Sequence, residues 1–163
     1  MNRILALDPG TTTGYFLYEN WSNWQISSFT DKNWLNQAKN LQNLVKKEQV
    51  NILVCEVSSL WQKQNYNYHY GNLIKLVGHT EYLAQTNNIE YVPISNQFMG
   101  RWNQEAKDGN IKGLVYQIVP SSKGRPKQTW TFKKQPLNEH EKDAVLIFYV
   151  YWCKFQKKVW PFV

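Results

Sequence analysis

Cysteine is scarce: Cys55 and Cys153 are the only two in 163 residues. So few thiols exclude a disulfide-stapled scaffold, and their spacing does not suit a zinc site. Both are expected to be free thiols in a reducing compartment, which points to a cytoplasmic protein. Long apolar runs are also missing. No stretch approaches the roughly 20 residues that a bilayer-spanning helix needs, so no membrane partner is expected. Residues 1–8 are too short and too soon interrupted for a signal peptide. Acidic residues are outnumbered, with 12 Asp and Glu against 19 Lys and Arg, for a net charge of +7. A pI near 9.3 favours a polyanionic partner. There is no internal repeat or low-complexity tract. The abundance of Asn, Lys and Tyr fits AT-rich coding DNA of a low-GC bacterium or its phage. At this length residues 1–163 are expected to form a single domain that buries a real core.

The most informative stretch begins at Asp8. It ends the apolar run Arg3-Ile4-Leu5-Ala6-Leu7 and precedes Pro9-Gly10-Thr11-Thr12-Thr13-Gly14. Short apolar runs bounded by Gly and Pro read as buried strands. Asp8 thus falls at the carboxyl end of a core strand, where open α/β sheets place ligands. A carboxylate there is costly unless a cation meets it. Ile52-Leu53-Val54-Cys55-Glu56 is a second apolar run ending in an acid. Near the C-terminus Asn138-Glu139-His140-Glu141-Lys142-Asp143-Ala144 leads into Val145-Leu146-Ile147-Phe148. Three distant regions therefore offer oxygen ligands at the ends of regular elements. Hard cations such as Mg2+ take a few carboxylates plus water and substrate phosphate.

These residues carry a family resemblance. The chain resembles the RuvC-type Holliday-junction resolvases of the RNase H-like (retroviral integrase) superfamily. The resemblance rests on Ala6-Leu7-Asp8-Pro9-Gly10-Thr11-Thr12-Thr13-Gly14, Val54-Cys55-Glu56 and His140-Glu141-Lys142-Asp143-Ala144, in that order along nearly the whole chain. It implies an α/β protein with an RNase H-like fold, a five-stranded mixed β-sheet flanked by α-helices. It further implies a metal-dependent endonuclease that acts as a homodimer on branched DNA such as a four-way junction. The catalytic and metal-binding positions implied are Asp8, Glu56, His140 and Asp143, holding two Mg2+ (or Mn2+) ions. Two such ions about 4 Å apart clamp the attacking and leaving oxygens of a phosphodiester displacement. Some members have Asp where this chain has His140, and imidazole suits Mn2+ better than Mg2+. Glu139 or Glu141 stands as an alternative fourth ligand. Two other activities stay open. One is an RNase H-like nuclease acting on flaps or forks. The other is a small actin/Hsp70-like ATPase lobe, because that superfamily also begins with Asp-x-Gly-Thr-Thr.

The hydrophobic pattern predicts strands over 2–8, 14–19, 22–29, 51–56 and 89–94. It predicts a helix from an Asp31 N-cap to about Glu48, and an amphipathic one over 72–86. The resemblance implies that the latter pairs two subunits. Asn138 and Glu141 form a capping box for the last helix. His140 and Asp143, three apart in its first turn, share a face at the positive end of the helix dipole. Residues 96–136 read as a long irregular segment. It contains the most basic stretch, 121–134, with Lys123, Arg125, Lys127, Lys133 and Lys134 and no acid. With Lys107 and Lys112 upstream, these are the expected phosphate contacts. Trp61 and Tyr66, in the aromatic stretch after Glu56, are the expected base-stacking side chains. Lys154, Lys157 and Lys158 are expected to complement the last helix's dipole.

Overall fold

The computed structural model describes residues 2–57, 68–120 and 124–162. Trp61, Tyr66 and Lys123 lie outside the described residues. Five strands form one mixed sheet: β1 (Ile4–Asp8), β2 (Thr12–Asn20), β3 (Asn23–Thr30), β4 (Ile52–Val57) and β5 (Glu90–Ser95), in the order β3-β2-β1-β4-β5. β1 runs antiparallel to β2 and parallel to β4. α1 (Trp34–Glu48) connects β3 to β4, and α2 (Tyr68–Thr86) lies between β4 and β5 in the chain. The N-cap of α1 is Asn33, whose side chain accepts from Leu35 N, rather than the expected Asp31. Asp31 instead accepts from Asn33 N and Asn36 Nδ2, one turn ahead.

Strand alternation sorts the core into two layers. Leu5, Leu7, Leu53 and Cys55 face the side covered by Leu41 and Val45 of α1 and Leu83 of α2. Ile4, Ala6, Ile52 and Val54 face the other side, where α4 (Glu139–Val150) packs. Because side chains alternate, Asp8 and Glu56 follow the second set and project toward α4.

The segment 96–136 is not irregular. It forms a 3-10 turn (Asn96–Phe98), α3 (Met99–Lys107), β6 (Leu114–Val119), β7 (Lys127–Phe132) and the start of β8 (Gln135–Leu137). β6, β7 and β8 make a separate three-stranded antiparallel sheet. The reason is α4, in which Ala144 through Phe148 are all fully buried. A helix apolar all round needs cover on every side. Trp102, Ala106, Leu114, Trp130 and Phe132 from this segment, with Trp160 and Phe162, share the same core cluster. A five-residue π-helical stretch (Tyr151–Phe155) continues α4. Beyond and within it, Lys158 stacks on Trp152 at 4.5 Å and Lys154 on Trp102 at 4.6 Å. Among the described residues no helix is long and apolar enough to cross a membrane.

Candidate active site

The site lies where β1, β4 and α4 meet. Leu7 pairs with Cys55 in the parallel register, so Asp8 and Glu56 follow side by side. The hydroxyl of Thr13 shapes the turn after Asp8, accepting from Gly10 N at 3.3 Å and donating to Gly10 O at 3.2 Å. The start of α4 is fastened over this edge. Asn138 and Glu141 form the expected capping box, and Ser28 of β3 donates to Glu141 Oε1 at 2.8 Å. Asn138 Nδ2 in turn donates to Ser28 Oγ. The helix thus enters directly above Gly14, the partner of Asp8 in β2.

His140 Nδ1 lies 2.7 Å from Asp8 Oδ2, across 132 residues of sequence. This hydrogen bond holds the imidazole above its ordinary pKa, against the opposing effect of burial. Asp143 Oδ1 accepts from Lys142 Nζ at 2.7 Å. Its carboxyl is pushed up by burial, with Asp8 adding to the rise and Lys142 opposing it. Glu56 is raised furthest, from an ordinary 4.5 to about 7, by burial first and then by the charges of Asp8 and Asp143. The three carboxylates therefore feel one another, and their charge is under-compensated.

Glu139 and Glu141 are otherwise engaged. Glu139 pairs with Lys142 at 3.2 Å, and Glu141 completes the cap. Of the three candidates for the fourth position, only His140 is hydrogen-bonded to Asp8. As they stand, Asp8 is bonded to His140 and Asp143 to Lys142, and the carboxylates do not converge. Among the described residues, no three of His, Cys, Asp and Glu surround a common point. The donor set is nonetheless hard oxygen plus one imidazole, which suits Mg2+ or Mn2+. An excess of buried negative charge is the environment a divalent cation relieves.

Sequence reasoning missed Lys142. Only 4% of it is exposed. Its ammonium is held by Asp143, by Asn103 Oδ1 at 2.7 Å and by Glu139, with the Trp130 ring 5.4 Å away. A lysine between two carboxylates in a helix's first turn was the available signal. Of the expected DNA contacts, Arg125 and Lys127 stand exposed on the β6–β7 hairpin, and Lys133 and Lys134 on the β7–β8 turn. Lys107 leans over the Tyr116 ring. Lys112 is exposed, and its carbonyl receives Trp160 Nε1.

Glu56 gives a pH test. The folded state keeps this proton up to about pH 7, whereas the unfolded chain loses it near 4.5. The folded state binds more protons in that window, so metal-free stability falls as pH rises through it. A Glu56→Gln variant removes the penalty. In chelator at pH 8 it should be more stable than wild type by up to about 3 kcal/mol, and equal to it near pH 4. Denaturant melts across this range measure the difference; parallel curves would remove Glu56 from the acidic group.

No family model matches the chain, and no curated protein matches it. Solved structures do. Thermus thermophilus RuvC in complex with a Holliday junction substrate aligns over 93% of this chain and 94% of its own, at 10% identity and a TM-score of 0.58. A second Thermus thermophilus RuvC structure aligns at 11% identity with a TM-score of 0.54. YeaZ from Pseudomonas aeruginosa is more distant, at 10% identity, a TM-score of 0.46 and 62% of its length. The chain thus has the RuvC arrangement of the RNase H-like fold, as expected: a five-stranded mixed sheet with flanking helices.

Proposed function

We propose that this chain is a metal-dependent endonuclease that cuts branched DNA and resolves four-way junctions as a homodimer. The observation that carries this reading is the Asp8–His140 hydrogen bond at the end of β1, with Glu56 and Asp143 near enough for their charges to act on each other. A pure DNA-binding protein gains nothing from three carboxylates where phosphate must approach. The RuvC-like fold and the basic cover over α4 support the same reading.

Asp8, Glu56, Asp143 and His140 would hold one or two Mg2+ or Mn2+ ions. When bound, such an ion supplies Lewis acidity toward phosphoryl oxygen and a nucleophilic water. The chain's own residues prepare the place. Parity of β1 and β4 aims Asp8 and Glu56 at the positive end of α4. The Ser28–Asn138–Glu141 lattice fixes that end against β3. Lys142 steadies Asp143, and His140 Nδ1 orients Asp8. In the dimer the apolar groove of α2 and β5, lined by Leu73, Ile74, Val77, Tyr91 and Pro93, meets its copy. That symmetry presents two sites to opposing strands.

The test is cleavage of a labelled synthetic four-way junction beside a linear duplex of the same sequence, with Mg2+, Mn2+ or EDTA. Paired symmetric nicks confined to the junction and lost in EDTA are expected. Equal cutting of the duplex would discard junction specificity, and binding without cleavage under either metal would discard the nuclease.

A further inference from the structure

The β6–β7 hairpin is a ribbon whose outer half packs on no core cluster among the described residues. Its inner rungs, Leu114↔Phe132 and Tyr116↔Trp130, belong to the core over α4 or pack against it. Its outer rungs, Ile118↔Gln128 and Val119↔Lys127, are exposed on both strands. Ile118 is 61% exposed and Val119 43%. A two-stranded ribbon without a buried face is marginal in water, and exposed aliphatic side chains add nothing to it there. A ribbon of this kind is expected to gain its burial from a partner.

Charge identifies the partner. From 109 to 138 the chain has six cations and no carboxylate, so nearly all of the net +7 resides in this segment. Lys127 faces Val119 across the outermost rung, and Arg125, also exposed, precedes it by two residues. Position links the hairpin to the candidate site. Trp130 of β7 stacks on Lys142, which holds Asp143. Lys127 is three residues further out, about 10 Å along the strand.

We infer that the β6–β7 hairpin is a DNA-gripping arm, which enters edge-on the minor groove of a duplex arm flanking the cut, with Ile118 and Val119 on its opposite faces turned to the two groove walls. Arg125 and Lys127 contact the phosphates that border that groove. The sugar walls of the minor groove offer apolar surface, and aliphatic side chains enter between its base steps. The inference deepens the proposed nuclease reading and rests on it for the identity of the partner as DNA.

The test reads binding in EDTA, so it is independent of cleavage. The probes are a four-way junction and a linear duplex with A/T-rich arms. Arg125→Glu/Lys127→Glu should weaken both complexes at least about 10-fold and lower the salt slope by about two. Ile118→Ser/Val119→Ser, which leaves the charge intact, should weaken them about fivefold or more at an unchanged slope. Lys39→Glu/Lys46→Glu, on exposed positions of α1, matches the charge change and should weaken them less than threefold. Netropsin, a minor-groove ligand, should compete with wild type and leave the residual binding of the serine variant unmoved. Thermal melts check that every variant folds. Arm variants that bind like the α1 control would overturn the arm, and wild-type binding indifferent to netropsin would overturn the groove. A chain that binds through the arm yet never cuts would refute the nuclease reading alone, and one that binds no DNA would refute both.

Discussion

Under the proposed function, an Asp8→Asn protein should bind a four-way junction as tightly as wild type and cleave it at least about 1,000-fold more slowly, a barrier increase of about 4 kcal/mol. The substitution changes almost no volume. The amide oxygen can still accept from His140 Nδ1, where the carboxylate now sits at 2.7 Å. What disappears is one negative charge among three. Glu56 and Asp143 are both raised in part by Asp8, so both should titrate closer to their ordinary ranges in the variant. Metal-free stability at pH 7 should therefore be unchanged or slightly higher. Lost cleavage with retained folding and binding marks a chemical role. Retained cleavage would remove Asp8 from the machinery, and lost folding would make it a structural carboxylate. Single-turnover cleavage, junction affinity and a thermal melt together separate the three results.

Gly14→Ala should be among the most damaging single-methyl changes in the chain. A Cβ at Gly14 would lie 2.1 Å from the carbonyl oxygen of His140, 2.3 Å from its carbonyl carbon and 2.8 Å from Glu141 N. All three are backbone atoms of the first turn of α4, and no rotamer change relieves the clash. The helix must lift away from β2, taking His140 from Asp8 and Glu141 from Ser28. Overpacking usually costs about 1–3 kcal/mol, and a rigid backbone contact belongs at or above that ceiling. A loss of about 3 kcal/mol lowers the melting temperature by roughly 10 °C in a chain of this size. The control is Gly100→Ala in α3, where an added methyl meets nothing within 4 Å. That change should be neutral or stabilising by about 1 kcal/mol. If Gly14→Ala melts within 2 °C of wild type, the close seating of α4 on β2 is wrong.

Much of the candidate site's layout was legible because its signals are local. A strand that ends in Asp8, another that ends in Glu56 and a capping box at Asn138 each announce themselves within a few residues. Strand alternation then puts Asp8 and Glu56 on one face of the sheet, since Ile4, Ala6 and Asp8 must share a face. The cover of α4 was not legible in the same way. Strands such as Leu114–Val119 lie between glycines, lysines and prolines, and their pattern mixes core and exposed positions. Only the all-round burial of Ala144–Phe148 reveals that a second layer is required. Lys142 escaped for a related reason: a lysine in an acidic turn reads as solvated until Trp130 and Asn103 close over it. Asp31 and Asn33 are both good caps two residues apart, and only the backbone decides for Asn33.

The burial of α4 also sets an order of events during synthesis. The strands that carry Asp8 and Glu56 leave the ribosome long before residue 139, where the helix that carries His140 and Asp143 begins. Until that helix arrives, the face of Ile4, Ala6, Phe16 and Val54 has no apolar partner from it. The growing chain must keep this face from other chains, a task suited to a holding chaperone. It also has no complete acidic group, because its two halves are joined only by the last helix. Under the proposed function, a partly made copy is therefore harmless to the DNA around it, and cutting begins only when the chain has closed on itself.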